Sequence, residues 1–191
     1  MQIASRFAIL SSLAVLGGAC ALPMTVSSHV DRTADFSTYQ TYQWGPADAL
    51  PIGDPRLEDD PFFRDAFEGA VERHLGRRGL QLAADGASDL SIHVHASVTE
   101  RLDVAAIDHA QGYCNTADCA SVATTYEAGT LVLDVVDVRT NNLVWRGWSQ
   151  TNLAGVIDYR DRVAALIEES VDRMMRRFPR TLNPADLSPR P

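Results

Sequence analysis

The stretch Asp89-Leu90-Ser91-Ile92-His93-Val94-His95-Ala96-Ser97-Val98-Thr99-Glu100-Arg101 decides the fold. Leu90, Ile92, Val94, Ala96 and Val98 alternate with Ser91, His93, His95, Ser97 and Thr99. A period of two places each set on its own side of a β-strand. One side is apolar and the other polar, so this strand belongs to a sheet covered on one face and open to water on the other.

Downstream, Gly129 to Val138 and Leu143 to Leu153 flank the turn Arg139-Thr140-Asn141-Asn142 and read as a hairpin. Upstream, Thr25 to Asp31 and Thr41-Tyr42-Gln43-Trp44 read as two more strands, with Asp35 to Tyr39 as a compact turn between them. Two helices supply the cover. The first has Asp60 as its cap, Pro61 at its first position, one apolar face of Phe63, Phe67, Ala70, Val71 and Leu75, and Gly79 as its stop. The second has Asp158 as its cap and a stripe of Val163, Leu166, Ile167, Val171, Met174 and Phe178; Arg173, Arg176 and Arg177 meet its C-terminal dipole before Pro179. The expected fold is α+β, an antiparallel-rich sheet of about five strands with both helices on one face. A parallel doubly wound sheet would need a helix at every crossover, and there are too few.

The N-terminus has another character. Arg6, the apolar run Phe7 to Leu16 and the small residues Gly17-Gly18-Ala19 before Cys20 follow the plan of a secretory signal. The apolar run is far shorter than the roughly 18 to 20 residues of a membrane-crossing helix. A cysteine directly after the small residues reads as the lipid attachment site of a bacterial lipoprotein. Residues 1–19 are then a signal peptide, 20–24 a lipidated linker, 25–179 one domain and 180–191 a flexible tail. Ala21 after the cysteine points to the outer membrane, facing the periplasm, more than to the inner one.

The chain of 191 residues carries a formal net charge of −8, and all 17 of its basic side chains are arginine. An acidic chain is a poor match to phosphate backbones or anionic head groups, so nucleic acid is not an expected partner. Absence of lysine excludes a lysine Schiff base or general base. With Cys20 acylated, Cys114 and Cys119 have only each other, and an oxidising compartment favours a disulfide between them.

Three constellations could carry chemistry. His93 and His95 share a strand face and can offer two imidazoles to one metal, with His109, Asp118 or Glu127 as a third ligand; a hydrogen-bonded polar face is the plainer reading. Asp134 and Asp137 face opposite sides, one expected to pair with Arg146 and the other to reach solvent, which does not suit paired-carboxylate catalysis. Tyr42, Trp44, Trp145 and Trp148 form a binding surface if they cluster, though Trp145 and Trp148, three apart, should part into core and surface unless a bulge at Gly147 intervenes. No nucleophile elbow, zinc-protease motif, phosphate loop or dinucleotide fingerprint is present, which weighs against an enzyme.

Asp35-Phe36-Ser37-x-Tyr39-x-Thr41-Tyr42-x-Trp44, then Gly129-Thr130-Leu131-Val132 through Asp134 and Asp137, then Leu143-Val144-Trp145-Arg146-Gly147-Trp148 resemble the bacterial lipoprotein family catalogued as domain of unknown function 4136. The resemblance implies a lipid-anchored envelope protein without an established activity. The expected function is a non-catalytic binding or structural module of the envelope, using no cofactor and meeting the membrane through its anchor and an envelope protein or glycan through its sheet face or the Asp103 to Glu127 loop. The alternative is a metal-binding protein or hydrolase built on His93 and His95. Nothing in the sequence speaks to the oligomeric state.

Overall fold

The computed structural model describes residues 24–45, 54, 61–84, 87–102 and 125–179. Cys20, His109, Cys114, Asp118, Cys119, the Asp60 cap and the 180–191 tail lie outside the described residues. The elements are β1 (Met24–Val30), a 3-10 turn (Phe36–Thr38), β2 (Thr41–Trp44), α1 (Pro61–Gly76), β3 (Gln81–Leu82), β4 (Leu90–Leu102), β5 (Thr125–Asp137), β6 (Asn142–Asn152) and α2 (Arg160–Met175). The strands make one sheet in the order β1-β6-β5-β4-β2-β3.

The class is α+β, as expected, with two corrections. The sheet has six strands rather than five, because Gln81–Leu82, too short to show a period, adds a two-residue edge. It is also mixed: β1, β6, β5 and β4 are antiparallel neighbours, whereas β2 runs parallel to both β3 and β4. The cause is α1, which lies between β2 and β4 in the chain and supplies the long crossover that a parallel pair requires.

Cross-strand register assigns every side chain a face. Val26, Val30, Tyr42, Trp44, Leu90, Ile92, Leu133, Val135 and Trp145 fall on one side, as the alternation around Leu90 requires. They merge with Phe67, Val71 and Leu75 of α1 and Ile167, Val171 and Met174 of α2 into one core. Phe178, just beyond α2, closes it edge-on against Trp145 at 5.1 Å and Phe36 at 5.7 Å. Gly147 makes room for Trp145: a Cβ there would stand 2.2 Å from the indole. The bulge lies at Val135/Val136, not at Gly147, so Trp145 and Trp148 still part onto opposite faces.

The ends of the elements are secured locally. Gly79, at φ +83°, closes α1; its own N–H reaches the Gly76 carbonyl at 3.0 Å and the Leu80 N–H reaches that of Leu75 at 3.1 Å, a paired termination that a left-handed residue permits. At α2 the capping position falls to Tyr159 rather than Asp158, and no side chain caps it. Asp89 ties β2 to the start of β4 by accepting from the N–H groups of Gln40 (2.8 Å) and Thr41 (2.9 Å) and from the Thr41 hydroxyl (3.0 Å).

Candidate functional site

The face away from the helices is polar, and register arranges it in rows. His29, Arg146, Asp134 and His93 form one row across β1, β6, β5 and β4; Ser27, Trp148, Val132 and His95 form the next; Thr25, Gln150, Thr130 and Ser97 the third. Among the described residues no helix packs on this side.

Asp134 is its anchor. Only 5% exposed, it accepts two hydrogen bonds from Arg146, Nε at 2.6 Å and Nη2 at 2.5 Å. These bonds raise the pKa of the guanidinium above its ordinary value. His95 Nε2 stands 3.5 Å from the same carboxylate, and its Nδ1 is buried without a protein partner. His93 turns elsewhere: Nε2 lies 3.0 Å from the Ser91 hydroxyl, and the ring covers Gly45, where a Cβ would come within 2.4 Å of it. A hydroxyl beside an imidazole is the start of an activated nucleophile. Here Ser91 is only 9% exposed, and Asp134, the carboxylate directly across from His93, is engaged by Arg146.

His93 and His95 therefore share a face, as their spacing requires, but one ring contacts Ser91 and the other Asp134. Among the described residues no group of three histidine, cysteine or acidic side chains could hold a metal. Asp134 pairs with Arg146 as expected. Asp137 does not reach solvent: it is 4% exposed, accepting from the Tyr39 hydroxyl at 3.0 Å and the Thr140 N–H at 2.9 Å. Burial pushes the Asp137 carboxyl up, and these bonds together with the Arg139 N–H and guanidinium outweigh it and hold its pKa below the ordinary value. Tyr39 moves the other way, to about 12, through burial and then its bond to Asp137.

The four aromatics do not converge. Tyr42 (3% exposed) and Trp145 (0%) are core, and Trp44 is half-buried on the helix side with Nε1 donating to Glu72 at 3.1 Å. Trp148 alone stands on the open face, 37% exposed. Its neighbours were not legible beforehand: that His29 lies across from Arg146, and Ser27 from Trp148, follows from a β1–β6 register joining distant parts of the chain. On the other side of the sheet, a narrow apolar cleft runs between β4, β5, β6 and α2, lined by Val98, Leu131, Leu153, Leu166 and Ile167, and the Thr151 hydroxyl is buried beside it without a partner.

A mixed six-stranded sheet with two helices on one face and a polar, partly stapled opposite face defines an α+β sheet domain. The chain belongs to the family of domain of unknown function 4136, whose model matches residues 26–180. Among solved structures, a PDZ domain protein from Parabacteroides distasonis is similar with a TM-score of 0.51 at 11% identity, over 83% of this chain and 36% of that one. The present chain thus spans little more than a third of that protein, and the likeness is one of fold. A PelC dodecamer from Paraburkholderia phytofirmans, in two crystal forms, gives TM-scores of 0.43 and 0.42 at 11% identity, over 80% of this chain and 95% of that one. No curated protein matches the sequence.

The residues that carry the family resemblance serve the fold. Asp35 caps the 3-10 turn through the Ser37 N–H, Phe36 and Tyr42 are core, Tyr39 holds Asp137, Trp44 holds Glu72, and Gly147 accommodates Trp145.

Proposed function

We propose that this protein is a non-catalytic, lipid-anchored module of the cell envelope, held at the outer membrane by an acylated Cys20 and facing the periplasm, that binds an envelope protein or glycan through the open face of its sheet. The observation that carries the reading is Trp148, a large exposed aromatic set among hydrogen-bonding side chains on the sheet face that, among the described residues, no helix covers. Aromatic rings in such a setting supply contact area at low entropic cost, and the flanking polar groups fix orientation. The Asp134–Arg146 pair beside it makes the surface rigid, so less ordering is needed when a partner docks.

Two measurements test the reading. Crosslinking and affinity capture from the native membrane should recover one envelope complex with the unaltered protein and lose it with Trp148→Ala; undiminished capture by the variant rules out this face. For the anchor, labelled palmitate should enter the unaltered protein and not Cys20→Ala, and an unlabelled parent protein removes the anchor from the reading.

A further inference from the structure

The C-terminal ends of both helices lie side by side, with Arg78 donating to the Met175 carbonyl and His74 Nε2 3.8 Å from Asp172. Arg73, Arg77, Arg78, Arg173, Arg176 and Arg177 gather there. Glu168, Glu169 and Asp172 answer Arg73, Arg173 and Arg176 respectively. Arg177 is exposed and makes no ion pair among the described residues. Each helix C-terminus adds only about half a negative charge, so a positive excess remains at this end of a chain whose net charge is −8.

Three of these arginines, Arg173, Arg176 and Arg177, line a groove together with Met24 and Val26 of β1. Met24 touches α2 directly, its sulfur 3.8 Å from the Ser170 hydroxyl. Met24 is also four residues from Cys20 in the sequence, a span of at most about 14 Å when fully extended. Resting on the acylation of Cys20 proposed above, the groove is held within a short tether of the membrane surface.

We infer that this arginine groove seats on the phosphates of anionic phospholipid head groups in the membrane that carries the anchor. Guanidinium is suited to phosphate by geometry as well as charge. The anchor of a bacterial lipoprotein carries two or more acyl chains and is stable by itself, so the groove's part is to orient the domain against the membrane rather than to hold it there. The acidic balance of the whole chain argues against such a surface, but the field a lipid feels is local, decaying over about 8 Å at physiological salt. Seating sets that orientation. Met24 and Val26 belong to the helix-covered side of the sheet, so the side bearing Trp148 remains free.

The test uses the mature chain with Cys20→Ser, which carries no acyl group, co-sedimented with vesicles of phosphatidylcholine alone or mixed with phosphatidylglycerol. The chain should prefer the anionic vesicles and release as salt rises. Arg177→Gln should weaken this binding about fivefold, and the triple change Arg173→Gln, Arg176→Gln, Arg177→Gln at least about tenfold. Equal binding to both vesicles overturns the inference, as does a folded triple variant that binds like its parent. If the triple variant fails to fold, Arg177→Gln and the salt titration of the parent decide. No acyl chain takes part, so failure here leaves the palmitate result standing, and failure of palmitate labelling leaves this result standing.

Discussion

At the scale of single residues, the fold depends on a few close approaches that the sequence does not advertise. Gly147 is an ordinary strand glycine until the Trp145 indole is seen to occupy the space of its missing Cβ, 2.2 Å from where that atom would stand. Gly147→Ala forces the largest side chain of the core to move, and overpacking of this kind costs about 1–3 kcal/mol. Chemical denaturation should show that loss; a variant as stable as its parent would mean that the indole has room to shift. Gly45 stands in the same relation to His93 on the open face, where a Cβ would meet the imidazole at 2.4 Å.

At the scale of elements, β2 owes little to its own length: it has four residues, paired in parallel on both sides and tied to β4 through Asp89. Hydrogen bonds from Gln40 and Thr41 hold the Asp89 pKa below its ordinary value, against the opposing effect of burial. The folded state therefore releases this proton more readily than the unfolded one. Its stabilisation is complete above the ordinary aspartate range and is lost as pH falls through the depressed folded value. Asp89→Asn should cost about 1 kcal/mol at neutral pH, and the gap to the parent should narrow under acid when melting is followed against pH. A gap that stays constant would assign the effect to shape rather than charge. The sequence made β4, the β5–β6 hairpin and both helices legible because each repeats its period over many residues. It hid β3, which has two residues, and the parallel direction of β2, which depends on where α1 returns the chain. The same limit applies to the site: period two placed His93 and His95 on one face, but their partners Ser91 and Asp134 depend on rotamers and on register between strands.

At the scale of the molecule, one core cluster joins both helices to five of the six strands and to the 3-10 turn through Phe36. With no second core among the described residues, unfolding should be all-or-none. Far-ultraviolet circular dichroism and amide exchange of the β5 and β6 backbone should report the same transition in denaturant; separated midpoints would divide the sheet into independent parts. The sequence has three tryptophans, and the fold gives each a different setting. Trp145 is fully buried, with an indole N–H that meets no acceptor; Trp44 is half-buried on Glu72; Trp148 stands at the open face. Their light emission is therefore graded by depth, Trp145 emitting furthest to the blue and Trp148 being the most open to a dissolved quencher such as iodide. A molecule settling over Trp148 would shield it while leaving the Trp145 signal untouched, so the protein carries a native optical gauge that separates occupancy of its surface from loosening of its core.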